Sequence, residues 1–324
     1  MRLRGLVGGP NADKLCMHGG YAHEALLYAG EDGFAAGTLP FIRAGVELGE
    51  PVLVAVSARK IELLRDELGE HAEAVLFADM AEIGRNPAWI IPTWQDFLDE
   101  HAAGGRAVRG IGEPISAARQ AAELVECQRH ESLLNVAFAD APAFRLLCPY
   151  DTVALDTEVV DEARRSHPHV IEGDVTGESA SYRGLAAIVT PFDDPLPSPP
   201  DDALELEFNV DSLHTVRALV YARAAELGLA TRGDDLVIAV NELTTNSVRH
   251  GGGSGVAAVW LEGGALVCEV RDAGRIEDPL VGRKRPSPDR PGGRGHWMAN
   301  RLCDLVQVRT FAKGTVVRVH MRTA

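Results

Sequence analysis

Residues Asn241–Gly253 read NELTTNSVRHGGG: a Glu and an Asn one helical turn apart, then Arg-His and three glycines. Upstream, TRGDDLVIAV places Thr231 or Asp234 where a helix N-cap is expected. Leu236, Ala239, Val240, Leu243 and Ser247 recur at three- and four-residue spacing, a small-to-apolar stripe suited to packing. Glu242, Asn246 and Arg249 fall on an adjoining face. Gly251 is placed to end the helix in a left-handed conformation. The helix therefore presents a carboxylate, a carboxamide and a guanidinium in a row, just before a flexible backbone. A solvated polar face with a glycine stop would account for the same residues, so the neighbouring segments decide between the two.

Three segments further along the chain bear on that choice. VCEVRDAGRIEDP puts Asp272 at the end of a strand with Gly274 two residues on. A carboxylate there can accept hydrogen bonds from an exocyclic amine such as that of adenine. GGRGHWMANRLCD sets Gly292, Gly293 and Gly295 at the start of a helix, where free N–H groups and the helix dipole favour an anion, and Arg294 adds a charged donor. KGTVVRV places Thr315 in the final strand, its hydroxyl within reach of a base or a neighbouring carboxylate.

In order and spacing these segments resemble the Bergerat ATP-binding fold of the GHKL superfamily, shared by histidine kinases, gyrase-type ATPases and anti-sigma-factor serine kinases. NELTTN resembles the N box, RDAG the first glycine box and GGRGHWMANRLCD the second. The resemblance implies ATP and Mg²⁺ as cofactors. It assigns Mg²⁺ to Asn246, the general base to Glu242, adenine to Asp272, and the phosphate lid to Gly292, Gly293, Arg294 and Gly295. Arg249 and His250, just before the glycines, are close enough to assist. Many relatives carry DxGxG, whereas Asp-Ala-Gly is followed here by Arg275-Ile276, as in anti-sigma kinases.

A histidine kinase also needs a dimerising helical hairpin with a phospho-accepting His before its ATP domain. Here a Pro/Asp-rich segment and the strand LELEFNV precede it, and His214 reads as an exposed helix-start residue. This favours an RsbW-type anti-sigma factor and serine-protein kinase over a sensor histidine kinase. Its implied partners are a sigma factor and a STAS-type anti-anti-sigma antagonist, with homodimerisation left open. The alternative is a non-catalytic module in which ATP sets affinity for a partner, and an intact Glu242 tells against it.

The remainder of this half alternates differently from the first. LELEFNV, a helix over Leu213–Leu227, a hairpin turned by Gly263-Gly264, a helix near Trp297–Asp304 and the closing hairpin LVQVRTFAKGTVVRVHMR predict helices on one side of a mainly antiparallel sheet, an α+β layer.

Thr190–Ala203, TPFDDPLPSPPDDA, holds five prolines and four aspartates and reads as a stiff linker. It divides the chain into a first domain, 1–189, the linker 190–203, and a second domain, 204–324. In the first, β-type runs (HEALLYAG, PVLVAVS, AVLFAD, AVRGIGEP, FRLLCPYD, HVIEGD) alternate with helices at Asp32–Leu48, Ala58–Leu68, Pro92–His101, Ala117–Phe138 and Thr157–Ser166. Ser57 is a candidate N-cap. Such alternation predicts an α/β domain with a mainly parallel sheet covered on both faces and ligand sites at the strand carboxyl ends. The first strand ends in AGEDGFAAGT, which has no P-loop lysine, and Glu31 and Asp32 would repel a triphosphate. MHGGYAHEALLYAGEDGFAAGTLPFIRAGVELGEPVLVAV resembles the opening of the MEDS sensory domain, a RecA/KaiC-like fold without a working P-loop. The likeness spans roughly residues 18–172 and implies sensing of a small-molecule signal or a partner.

Within that domain, Glu113 and Asp151 follow strands and are candidate pocket residues, as are His18 and His23 before and in the first strand. Cys16, His18 and His23 lie close enough to ligate a metal, but no second Cys/His pair follows nearby. Trp89 and Trp94 are candidates for an apolar pocket or for the core.

Composition sets the outer limits. With 324 residues the chain is long enough for two cores. No apolar run approaches the roughly 20 residues a membrane span requires. Residues 1–203 carry 33 acidic and 16 basic side chains and residues 204–324 carry 14 and 16, which argues against direct nucleic-acid binding. The five scattered cysteines, without a CxxC pair, fit a reducing cytoplasm.

Overall fold

The computed structural model describes residues 20–184, 186, 194–286 and 293–323. They divide into two compact units, residues 1–84 with 93–189 and residues 85–92 with 190–324.

The first unit runs β1 (Tyr21–Tyr28), α1 (Gly30–Glu47), β2 (Val52–Val56), α2 (Ala58–Leu68), β3 (Val75–Asp79), α3 (Met80–Ile83), α4 (Ile90–His101, belonging to this unit from Thr93 on), β4 (Val108–Gly112), α5 (Ala121–Ala137), β5 (Phe144–Asp151), α6 (Thr157–Ser166), β6 (His169–Glu172) and β7 (Val175–Glu178). The strands form one sheet in the order β3-β2-β4-β5-β1-β6-β7. All neighbours are parallel except β6 and β7. β2 and β4 are buried along their whole length; β2 accordingly reads as a continuously apolar run rather than an alternating one, while β4 carries a buried Arg109 paired with Glu50. On one face Leu26, Tyr28, Val54, Val56 and Ile111 pack with Phe34 and Ile42 of α1 and Leu64 of α2. On the other, Tyr21, Phe138 and Phe144 meet ring to ring, and Trp94 of α4 packs on Phe144.

Three expectations for this unit shift. The helix expected from Ala117 begins at Ala121, because Gln120 and Glu123 close a reciprocal capping box there. The strand HVIEGD is followed by a further one, β7, which pairs antiparallel with β6 across a turn at Gly173. Ser57 sits at the N-cap of α2 without a side-chain capping bond. Trp94 belongs to the core at 1% exposure.

The second unit runs β8 (Leu204–Asn209), α7 (Leu213–Glu226), α8 (Ala230–His250), β9 (Ser254–Glu262), β10 (Ala265–Asp272), α9 (Arg294–Leu302), β11 (Leu305–Phe311) and β12 (Gly314–Arg322). Its sheet has the order β11-β12-β10-β9-β8, every pair antiparallel. The stripe Leu236, Ala239, Val240, Leu243 and Ser247 is buried throughout. Its apolar members share a core with Val216 and Val220 of α7, Ala299 of α9, and the inward residues Val259, Leu266, Cys268, Val270, Val317 and Val319. Burying a side chain such as Leu236 contributes roughly 1.5–3 kcal/mol, and this is what fixes α8 against the sheet.

Two details of α8 differ from expectation. It starts at Ala230, so Thr231 and Asp234 lie inside the helix rather than capping it. Leu229 is at the N-cap and buried, and its carbonyl accepts from Arg232 and Gly233, so core packing sets the start. Gly251 ends the helix at φ −101°, not in the left-handed region, which begins at Gly252. A Cβ at Gly251 would lie 2.4 Å from Cγ of Asp272, so the glycine serves close approach. Likewise α9 begins at Arg294, three residues before the expected Trp297.

The outer face of the same sheet carries Ala258, Trp260, Ala265 and Val267, with Ala203 of the Pro/Asp-rich segment packed against them. Arg318 lies over the Trp260 ring, bonds Glu269 at 2.6 and 2.9 Å, and donates to the Pro197 carbonyl. The described part of that segment is thus a strap on the second unit as well as a connection.

Candidate nucleotide site

The polar face of α8, the end of β10, the start of α9 and β12 converge on a cavity of about 210 Å³. Asn246, Ser247, His250, Gly251, Asp272, Gly274, Gly293, His296 and Thr315 line it, with Leu243, Val270, Ile276, Val281 and Val317 as an apolar wall. An apolar slot with a few fixed polar groups is the usual form of a small-ligand site.

Asp272 is fixed from two sides. The Ser247 hydroxyl donates to Oδ2 at 2.6 Å and the Gly274 amide to Oδ1 at 2.7 Å. Each carboxylate oxygen keeps further acceptor capacity, so the group is held without being saturated. The turn after it is braced in turn. The Thr315 hydroxyl donates to the Gly274 carbonyl at 2.9 Å, and Thr310 accepts from the Ile276 amide at 3.2 Å. Thr315, paired in register with Asp272, supports the carboxylate's loop.

At the other end of the cavity α8 faces the first turn of α9. A Cβ at Gly295 would lie 2.5 Å from the Asn246 side-chain nitrogen and 3.3 Å from Oε2 of Glu242. Only glycine lets the helix start approach those two groups. The Glu242 carboxylate, the Asn246 carboxamide and the N–H groups opening α9 therefore share one spot, a combination suited to a cation-bound anion. Asn246 and Glu242 are half-buried.

His250 lines the cavity, whereas Arg249 is exposed and does not. Arg294 is exposed as the first residue of α9, and Gly292 lies outside the described residues. Sequence reasoning missed His296. Its Nε2 has no hydrogen-bond partner among the described residues, and burial pushes its pKa down to about 4 against the opposing pull of Asp272. Its place directly after Gly295, in the first turn of a helix at a glycine cluster, was the available signal. Ser247, a member of the packing stripe, also anchors Asp272.

The sensor residues do not form one group. Glu113 and Asp151 sit at the carboxyl ends of β4 and β5. Lys60 bonds both Glu113 oxygens at 2.6 and 2.7 Å, and the Tyr28 hydroxyl donates to one at 2.5 Å. Burial raises the Glu113 carboxyl above its ordinary range, against Lys60 and Tyr28, which pull it down. Asp151 accepts from the amides of Gly30 and Val153, so it shapes the loop after β5. His23 lies five residues before Tyr28 on β1, a separation of roughly 17 Å along a strand. Its side chain meets Glu131 and Asn135 of α5, Cys148 of β5 and His167. His18 and Cys16 lie outside the described residues.

A parallel α/β unit followed by an antiparallel sheet with helices on one face, bearing such a site, defines a two-domain protein whose second unit is built like a GHKL-type ATPase. Comparison with known families agrees. Residues 22–168 match MEDS, the MEthanogen/methylotroph, DcmR Sensory domain, and residues 206–321 match the histidine kinase-like ATPase domain. The chain thus carries a MEDS sensory domain within residues 22–168 and a histidine kinase-like ATPase domain within residues 206–321. Among solved structures, the RsbU and RsbW domains of Rv1364c from Mycobacterium tuberculosis align with 24% identity over 38% of this chain and 33% of that one, at a TM-score of 0.28. No curated protein matches the chain. Among the described residues no helix is long and apolar enough to cross a membrane.

Proposed function

We propose that the second domain binds Mg-ATP and acts as an RsbW-type anti-sigma factor and serine-protein kinase, controlled by the first domain, in the cytoplasm. The observation that carries this reading is the meeting of Glu242, Asn246 and the Gly295 backbone beside a cavity whose far wall holds Asp272. Adenine would give its exocyclic amine to Asp272 and stack on the apolar wall. Mg²⁺ would bind the Asn246 oxygen and neutralise phosphates seated against the start of α9. Glu242 would take the proton of the attacking serine hydroxyl as the γ-phosphoryl group passes to it. His296, held neutral by burial, would donate or accept a hydrogen bond without adding charge.

The partners on this reading are a sigma factor and a STAS-type antagonist bearing the serine. The domain limits 1–189 and 204–324 with a 190–203 linker belong to the same proposal, as does a RecA/KaiC-like fold without a P-loop for the first domain. The test is calorimetric titration with ATP, with and without Mg²⁺, followed by radiolabelled ATP with co-encoded STAS proteins. Mg-dependent binding and acid-stable phosphate on a serine of the antagonist are expected. Binding without any transfer would leave a nucleotide-gated binding module, and acid-labile phosphate on this chain would point to a histidine kinase instead.

A further inference from the structure

The first unit buries His23, Glu131, Cys148 and His167 together, each at 1% exposure or less. One donor atom from each lies within 4.8 Å of all the others. His23 Nε2 stands 3.3 Å from Glu131 Oε2 and 3.3 Å from Cys148 Sγ, and His167 Nε2 stands 3.4 Å from Glu131 Oε2. Metal–ligand bonds of roughly 2.0–2.3 Å set at tetrahedral angles put donor atoms about 3.3–3.7 Å apart, so three of the contacts already have the length of a tetrahedron's edge.

The surrounding hydrogen bonds orient these donors inward. The Asn135 amide nitrogen donates to the Ser166 carbonyl at 2.8 Å, which leaves its oxygen to accept from His23 Nδ1 at 3.1 Å. His167 Nδ1 faces the Ala163 carbonyl at 2.8 Å, which can only accept. Both rings therefore carry their proton on Nδ1 and turn a bare Nε2 toward Glu131, the second-shell arrangement typical of metal-bound imidazoles. Within the protein the result is unsatisfied. His167 Nε2 and Glu131 Oε1 are buried without a hydrogen-bond partner among the described residues, and acceptors facing one another in a dry core are costly unless a cation lies between them.

From this geometry we infer that the sensory domain holds a divalent transition-metal ion of the zinc class, bound by His23, Glu131, Cys148 and His167. Two imidazoles, a thiolate and a carboxylate suit Zn²⁺ and select against Mg²⁺ and Ca²⁺. Binding moves the Cys148 thiol proton to solvent as the metal–sulfur bond forms. Four protein ligands close the coordination sphere, so the ion ties β1, β5, α5 and the residue after α6 together instead of presenting an open position for hydrolysis. Occupancy then sets how those central elements pack, which gives a sensory domain something to sense. The inference does not depend on the function proposed for the second domain.

The test is metal titration of the full chain after chelation and reduction, with Co²⁺ as a spectroscopic stand-in and Zn²⁺ in competition. One ion per chain is expected, with thiolate-to-cobalt charge transfer and the strong visible bands of a tetrahedral ion. Cys148→Ser should lose the charge-transfer band. Asn135→Ala, outside the ligand set, should keep the band while weakening Zn²⁺ binding by about 10- to 100-fold. Circular dichroism confirms folding of each variant. A folded wild-type chain that takes up no Co²⁺, or a charge-transfer band that persists in folded Cys148→Ser, would overturn the inference. In that case the cluster is a hydrogen-bond network with a proton between Glu131 and an imidazole.

Discussion

The two polar clusters of this chain are built in opposite ways. The candidate nucleotide site of the second unit is open, lined by polar groups that range from buried to exposed, and drawn from short segments that each keep their polar residues close in sequence. The His23 cluster of the first unit is closed, almost free of solvent, and drawn from three elements and the residue after a fourth, spread over 145 residues. An open site made of local segments is tuned to exchange a ligand, and its residues can be altered without unfolding their neighbours. A closed site made of distant elements is part of the packing itself, so ligand and fold are read together.

If this contrast holds, changes in the second unit should act on ligand chemistry and leave folding intact. The largest effect is expected for Glu242→Gln, which keeps shape and removes the base. Phosphate transfer should fall by about 10²–10⁴, with Mg-ATP affinity changed less than about threefold. A parallel loss of binding in calorimetry would mean that Glu242 holds the nucleotide and is no base. Next is Asn246→Ala, expected to weaken Mg-dependent ATP binding about 100-fold, or about 2.7 kcal/mol, while melting temperature stays within a few degrees. Gly295→Ala should cost about tenfold in affinity, since its Cβ would push on the Asn246 amide 2.5 Å away and on Glu242. An unchanged affinity would show that α9 can retreat, contradicting a fixed lid.

Smaller is the response to pH. His296 has a folded pKa of about 4, lowered by burial, against an ordinary value near 6.5. The unfolded chain therefore binds the proton first. Its contribution to stability is intact above pH 6.5 and is lost as pH falls from there toward 4. Urea unfolding at several pH values should show this slope in wild type and a shallower one in His296→Gln. The least effect is expected for Ser247→Ala, which removes the 2.6 Å bond to Asp272 and should cost about 1 kcal/mol of stability with a several-fold loss in affinity.

How much could be read beforehand follows the same division. The stripe of α8 and the order of strands and helices were legible because period 3.6 and period 2 are local properties of the chain. Glu242, Asn246, Asp272 and Gly295 were legible because each sits within a recognisable local run. Helix ends were less so. Thr231 and Asp234 have good capping chemistry, but burial of Leu229 outweighed it. His23 could be singled out, yet Glu131, Cys148 and His167 could not be joined to it. Nothing in the sequence near His23 points to residues more than 100 positions away, and the pairing exists only once β1 lies beside β5 under α5. Strand β7, short and fully exposed, had no buried pattern to reveal it.

The strap of residues 194–203 bears on where the second unit begins. Composition places the boundary at Leu204, where the first strand starts. A fragment cut there would lose the Pro197 carbonyl that Arg318 uses and the Ala203 methyl that sits with Trp260. It would bare an indole and a charged pair on a sheet face, a surface prone to self-association. A fragment begun at Asp194 keeps both. The prolines that look like a spacer therefore serve as the unit's first structural residues.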